Sequence, residues 1–177
     1  MRGPAADPNH QAAVTELNHT VQLKEPSACT EGERRAFARL VRQGFATANE
    51  GLDSRVRDAK WLGFYYAQGG RLEAVAALKA PTKQYREEVF KKADAPVNPS
   101  DYPIELGWVF VVASHRGNRV GESLCRQLVE RVPACGVFAT TRTDNASMMR
   151  VLGALGFTRV GSPYQWRNEE LVLFLRS

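Results

Sequence analysis

Between Ser114 and Leu124 the chain reads SHRGNRVGESL. Arginines at 116 and 119 alternate with glycines at 117 and 121, just ahead of apolar residues that recur every four positions. Glycine lets a ligand approach the backbone closely. The first amides of a helix lack intrahelical partners and carry about half a positive charge. Together these features suit a phosphate or pyrophosphate. A solvated strand-to-helix turn would use the same letters, and the loop alone does not separate the two. It is not a Walker loop, because no Gly-Lys-Ser/Thr follows, and the G-x-G-x-x-G dinucleotide spacing fails.

The elements that must position this loop can be read from periodicity. IELGWVFVVA (Ile104–Ala113) is the longest buried strand expected, and Val120, Leu124, Leu128 and Val132 mark the helix after the loop. GVFATTR (Gly136–Arg142) reads as the next buried strand. Asp144 or Asn145 caps a helix with Met148, Val151, Leu152 and Leu155 on its inner face, and Gly156 ends it. FTRV and ELVLFLR (Glu170–Arg176) read as the last strands. Upstream, VQLK (Val21–Lys24) predicts a strand, and TEGE (Thr30–Glu33) a capping box opening a helix that ends near Gly44. A helix over Asn49–Lys60 and a hairpin over Trp61–Ala80 follow. Then come a helix over Gln84–Ala93 and a proline-rich loop over Asp94–Pro103. Strand–loop–helix–strand in the middle implies a parallel pair with a right-handed crossover. The expected architecture is one α/β domain, with a mixed, mostly antiparallel sheet, a central parallel pair and flanking helices.

Bulk properties exclude several classes. The chain has 177 residues, enough for one domain with a real core. No run approaches the ~18–20 apolar residues of a membrane span. Residues 1–18 read as a flexible leader without a secretory apolar stretch, and 19–177 as the domain. The net charge of +5 fits a polyanionic ligand, but the basic residues are too dispersed for a nucleic-acid footprint. Cys29, Cys125 and Cys135 show no metal or redox spacing, and three is an odd number. This predicts a reducing, cytoplasmic location and no metal.

VVASHRGNRVGESLCRQLVE followed by FATTRTDNASMMRVLGALGFTRVG resembles the GNAT superfamily of acyl-CoA N-acyltransferases. That pattern runs strand, Arg/Gln-x-x-Gly-x-Gly/Ala loop, helix, strand, then an Asn-capped helix ending Leu-Gly-Phe. Arg116 takes the first loop position, Gly121 the last, and Asn145 begins the second helix. The resemblance covers about Glu105 to Gly161. It departs from the family at Arg119, where a glycine is usual, and at Leu152, where many members carry a Tyr that protonates the leaving thiolate. Arg119 either avoids the left-handed backbone that glycine tolerates or adds a guanidinium contact to phosphate. Tyr164 and Ser147 are stand-ins for the missing acid, although their plainer readings are a packing aromatic and a polar helix residue. Cys125 reads as core, and His115 as a solvated loop residue.

The resemblance implies direct transfer of an acetyl or short acyl group from acetyl-CoA to a primary amine, with no metal. Backbone amides of Gly117, Asn118, Arg119, Val120, Gly121 and Glu122 would hold the pyrophosphate. The cofactor arm would pair with strand backbone near Phe110 and Val111, and Asn145 would touch it from the second helix. An amide on that strand would stabilise the oxyanion. An alkyl ammonium, with a pKa of about 10, must lose a proton before it attacks. Glu105 is the candidate base; its alternative is a structural Glu paired with a cation. The expected acceptor is a small-molecule amine, with a protein or RNA amine as an alternative, and a homodimer is compatible with the sequence. Two competing readings are a non-catalytic acyl-CoA sensor and an unrelated nucleotide-binding domain.

Overall fold

The computed structural model describes residues 19–45, 50–132 and 134–177; the expected leader, residues 1–18, lies outside them. Strand β1 (Thr20–Lys24) leads through a short turn to helix α1 (Glu31–Gly44). The capping box forms as the sequence predicts. Thr30 Oγ1 accepts from the Glu33 amide at 3.2 Å, and Glu33 Oε2 accepts from the Thr30 amide at 2.7 Å. Lys24 adds an ion pair from β1 to Glu33, fixing the helix to the sheet edge.

Contact with Lys24, and then with the Thr30 amide, holds the Glu33 carboxyl below its ordinary value near 4.5. Stabilisation from Glu33 is therefore complete above about pH 4.5 and fades as the pH falls through the lower folded value. Thr30→Ala is expected to cost about 1 kcal/mol. Urea unfolding at pH 7 and at stepwise lower pH checks both points: the Thr30→Ala loss should shrink once the pH falls through the lowered Glu33 value, where Glu33 no longer completes the box.

Helix α2 is shorter than expected, Leu52–Arg57, and Gly51 enters it with a left-handed φ of 64°. The hairpin forms as β2 (Trp61–Tyr66) and β3 (Leu72–Lys79). Helix α3 (Lys83–Lys92), β4 (Ile104–Val111), α4 (Val120–Val129), β5 (Val137–Arg142) and α5 (Ala146–Ala154) follow. The chain ends in β6 (Thr158–Trp166) and β7 (Glu169–Arg176). Strand β6 is twice the length the sequence suggested, because FTRV and SPYQW form one strand across a bulge. There Gly161 takes φ 68°, and the Ser162 amide donates to Ala93 O at 2.7 Å instead of to β7. Pro163 is tolerated because the ladder is already interrupted.

The seven strands are ordered β1-β2-β3-β4-β5-β7-β6, and β4–β5 is the parallel pair. Helices α4 and α5 cover one face, where Leu124, Leu128 and Leu152 meet Ala76, Leu106 and Ala139. The other face carries two separate apolar clusters. One holds α1 and α2 around Phe37, Phe64 and Trp108; the other holds α3 around Phe90, Phe138 and Tyr164. None of the described helices is long and apolar enough to cross a membrane.

Candidate active site

The parallel pair is joined only at Ile104–Val137 and Glu105–Phe138. Strand β4 continues to Val111 against β3, while β5 continues to Arg142 against β7. From Leu106 to Val111, β4 therefore turns a backbone edge with no strand partner toward the gap. At 3.3 Å per residue, Glu105 and Val111 stand ~20 Å apart along this edge.

A bulge sits in its middle. Ala77 pairs with Gly107 and Val75 with Phe110, so Ala76 faces both Trp108 and Val109. Trp108 takes a left-handed φ of 51° to accommodate the extra residue. Strict alternation would put Trp108 beside Leu106 under α4. The bulge instead turns it to the opposite face, edge-on to Phe37.

At the far end of the edge, a short turn over Ala113–His115 delivers the chain to α4. Among the described residues, no amide from Gly117 to Glu122 donates to a turn or cap carbonyl; the first such bond is Ser123 N–H to Arg119 O. Arg119 is the N-cap and does not avoid the strained backbone: its φ is 56° and ψ 14°. This costs on the order of 1 kcal/mol, since the residue is not glycine. Arg119 and Asn118 are exposed. A Cβ on Gly121 would stand 3.3 Å from Val111 Cγ2, so this glycine lets α4 lie close to the end of β4. Arg116 folds back: its Nε donates to Val111 O at 2.9 Å and its guanidinium lies over Phe110. His115 Nδ1 lies 3.7 Å from the buried Glu73 carboxylate, which ties the loop to β3. Glu122 pairs with Arg126, leaving its backbone amide as its contribution to the loop. Asn145 caps α5, its Oδ1 accepting from the Met148 amide at 3.1 Å.

Glu105 marks the near end, on the face away from α4. Its side chain is 4% exposed and pairs with Lys79 Nζ at 2.6 Å. Tyr85 Oη donates to the same carboxylate at 3.5 Å. Burial, and then the charge of Glu105, raise the Tyr85 and Tyr164 phenols well above the ordinary value, so both remain protonated. The Tyr164 hydroxyl is buried without a hydrogen-bond partner. Leu152 is fully buried under the sheet, and Ser147 is exposed. Burial pushes the Cys125 thiol up to about 12, which keeps it an inert core residue.

The two candidates read from the sequence, the loop and Glu105, lie at opposite ends of one open edge. Sequence reasoning missed Lys79 and Tyr85. Lys79 reaches Glu105 only through β3–β4 pairing, and no local pattern announces that register. Among the described residues, no cluster of His, Cys, Asp or Glu could hold a metal.

A sheet splayed beside a helix N-terminus is a fold this chain shares with solved acyl-CoA N-acyltransferase and acetyltransferase structures. Residues 95–157, about a third of the chain, match the model of the acetyltransferase (GNAT) family. Similar solved structures include ElaA from Escherichia coli, at 16% identity and a TM-score of 0.66 over 90% of this chain and 99% of that one. An acyl-CoA N-acyltransferase from Pseudomonas aeruginosa is 17% identical, with a TM-score of 0.65 and the same coverage. The yncA protein from Salmonella typhimurium, solved with its cofactor acetyl-CoA, is 17% identical, with a TM-score of 0.59 over 90% and 94% of the two chains. No curated protein sequence matches the chain significantly.

Proposed function

We propose that this domain moves an acetyl group from acetyl-CoA directly to a primary amine carried by a small molecule. The observation that carries this reading is the open β4 edge running from the unpartnered amides of 117–122 to Glu105. Those amides fit a pyrophosphate, since they combine unused donors with a helix dipole. Arg119 is exposed beside them and adds a guanidinium. The backbone of Phe110 and Val111 offers strand-like pairing to the cofactor arm. Arg116 would leave Val111 O to free that pairing and would then face the loop.

Acetyl-CoA, the co-substrate typical of this class, supplies an activated acyl group when bound. Glu105 receives the proton of the acceptor ammonium, directly or through water. Amides near the bulge offer donors where negative charge grows on the acyl oxygen. With Leu152 unable to donate, the thiolate, whose thiol has a pKa of about 8.5, leaves with little help and takes its proton from water; Tyr164, buried and unbonded, is the side-chain alternative. The three free cysteines fit a reducing, cytoplasmic setting. The sensor reading rests on the departures at Leu152 and Arg119, and Lys79, which already pairs with Glu105, adds to it.

Two measurements test the proposal. Acetyl-CoA at 100 times its Kd should stabilise the fold by about 2.7 kcal/mol, seen as a raised Tm. A panel of small amines, followed by free-thiol release, should then show saturable turnover. Absence of binding at millimolar acetyl-CoA would remove the basis of the reading. Binding without turnover of any amine would favour the sensor.

A further inference from the structure

We propose that Lys79 is itself an acetyl acceptor, so that the protein acetylates its own site when no external amine is present. The inference rests on the acetyl-transfer reading above.

Three observations place Lys79 Nζ where an acceptor nitrogen must stand. It is a primary amine seated on the candidate base, 2.6 Å from Glu105 Oε1. It lies over the Trp108 ring, 5.3 Å from its centroid, beside the bulge at the middle of the open edge. It also reaches that place across Gly107. A Cβ on Gly107 would meet Lys79 Cε at 2.7 Å and Nζ at 3.0 Å, so the missing side chain is what lets the lysine cross β4. The side chain remains 18% exposed, so it has room to move. A carboxylate below a primary ammonium, with an aromatic face beside it, is the environment that an external amine would also require. Lys79 therefore occupies the acceptor position and competes for it.

The step balances with acetyl-CoA alone. Glu105 takes one proton from the Lys79 ammonium, and the freed lone pair forms a C–N bond to the acyl carbon as the C–S bond breaks. The thiolate takes up one proton and leaves as coenzyme A. The nitrogen loses its second proton to water as the amide forms. Acetyl-Lys79 is neutral, so Glu105 loses its counter-ion and the cleft gains a negative charge.

The test incubates the full chain with acetyl-CoA and no added amine, and reads intact mass and peptide maps over time. The expected result is a single +42 Da addition on Lys79. Its first-order rate should be independent of protein concentration, and at least ~100-fold faster than at exposed lysines such as Lys83, since a positioned base contributes ~10²–10⁴-fold. Lys79→Arg should abolish the addition while retaining the ion pair. Glu105→Gln should slow it by a similar factor of at least ~100. An external amine that turns over should protect Lys79. If an amine turns over while Lys79 stays unmodified, the inference is overturned and the acetyltransferase reading stands. If acetyl-CoA binds but neither an amine nor Lys79 is acetylated, both fall. Equal modification of many lysines, unchanged in Glu105→Gln, would mark spontaneous chemistry and also overturn the inference.

Discussion

Glu105→Gln is expected to lower kcat by about 10²–10⁴-fold, the range a positioned general base supplies. Gln keeps the shape of the side chain but cannot receive a proton. The residual rate should rise with the fraction of free amine. Acetyl-CoA affinity should change by less than about threefold, because the loop amides lie past Val111, which is itself ~20 Å from Glu105 along β4. The variant will also be less stable, since Lys79 loses its partner. Removing one member of a fully buried pair costs about 3–5 kcal/mol, and Lys79 keeps some solvent, so about 1–3 kcal/mol is expected. Chemical unfolding measures that part separately, and saturation with acetyl-CoA shows whether the folded fraction is intact. A kcat within about threefold of wild type, in folded and saturable protein, would return Glu105 to a structural role.

Arg119→Glu is expected to weaken acetyl-CoA by about 100-fold, or about 2.7 kcal/mol. A charge-assisted hydrogen bond is worth about 1.5–3 kcal/mol, and the substitution replaces attraction to phosphate with repulsion. The loss should shrink at high salt, where exposed charges are screened. The fold should survive, because Arg119 is exposed. Arg119→Gly separates two contributions. It relieves the left-handed backbone, worth about 1 kcal/mol, while removing the guanidinium. An affinity loss of about tenfold with no loss of stability is expected. Isothermal calorimetry on the three proteins decides the matter. Equal affinities would mean that the amides alone hold the ligand and that Arg119 is a tolerated substitution.

Local rules carried the sequence reading as far as local rules reach. TEGE announced the start of α1 because a capping box closes within four residues. The four-residue apolar repeat announced α4 because one helical face must be buried. The loop was legible for the same reason, being a strand end, two glycines and a helix start in sequence. What stayed hidden depends on distant partners. The expected strand FTRV stops before SPYQW, yet the carbonyl of Ala93 takes the Ser162 amide and the strand runs on across the bulge. The strain at Arg119 could not be read from its identity, since arginine rarely adopts a positive φ. The Lys79–Glu105 pair needs the β3–β4 register, and that register is itself shifted by the bulge. Tyr164 was legible as a stand-in acid or a packing aromatic, but its burial and unbonded hydroxyl are properties of the packing around it.

The bulge at Trp108 has a consequence for how this protein can change. Parity along β4 inverts there: even positions before it look toward α4, whereas Trp108 and Phe110 look the other way. A substitution on either side alters one face only, so the lining of the cleft and the packing beneath α4 can drift independently. Loss or gain of a single codon between Gly107 and Val109 would instead exchange the two faces downstream, swinging Phe110 under α4 and Val111 into the cleft. Relatives that share the site should therefore vary freely in the identity of these residues and hardly at all in their number.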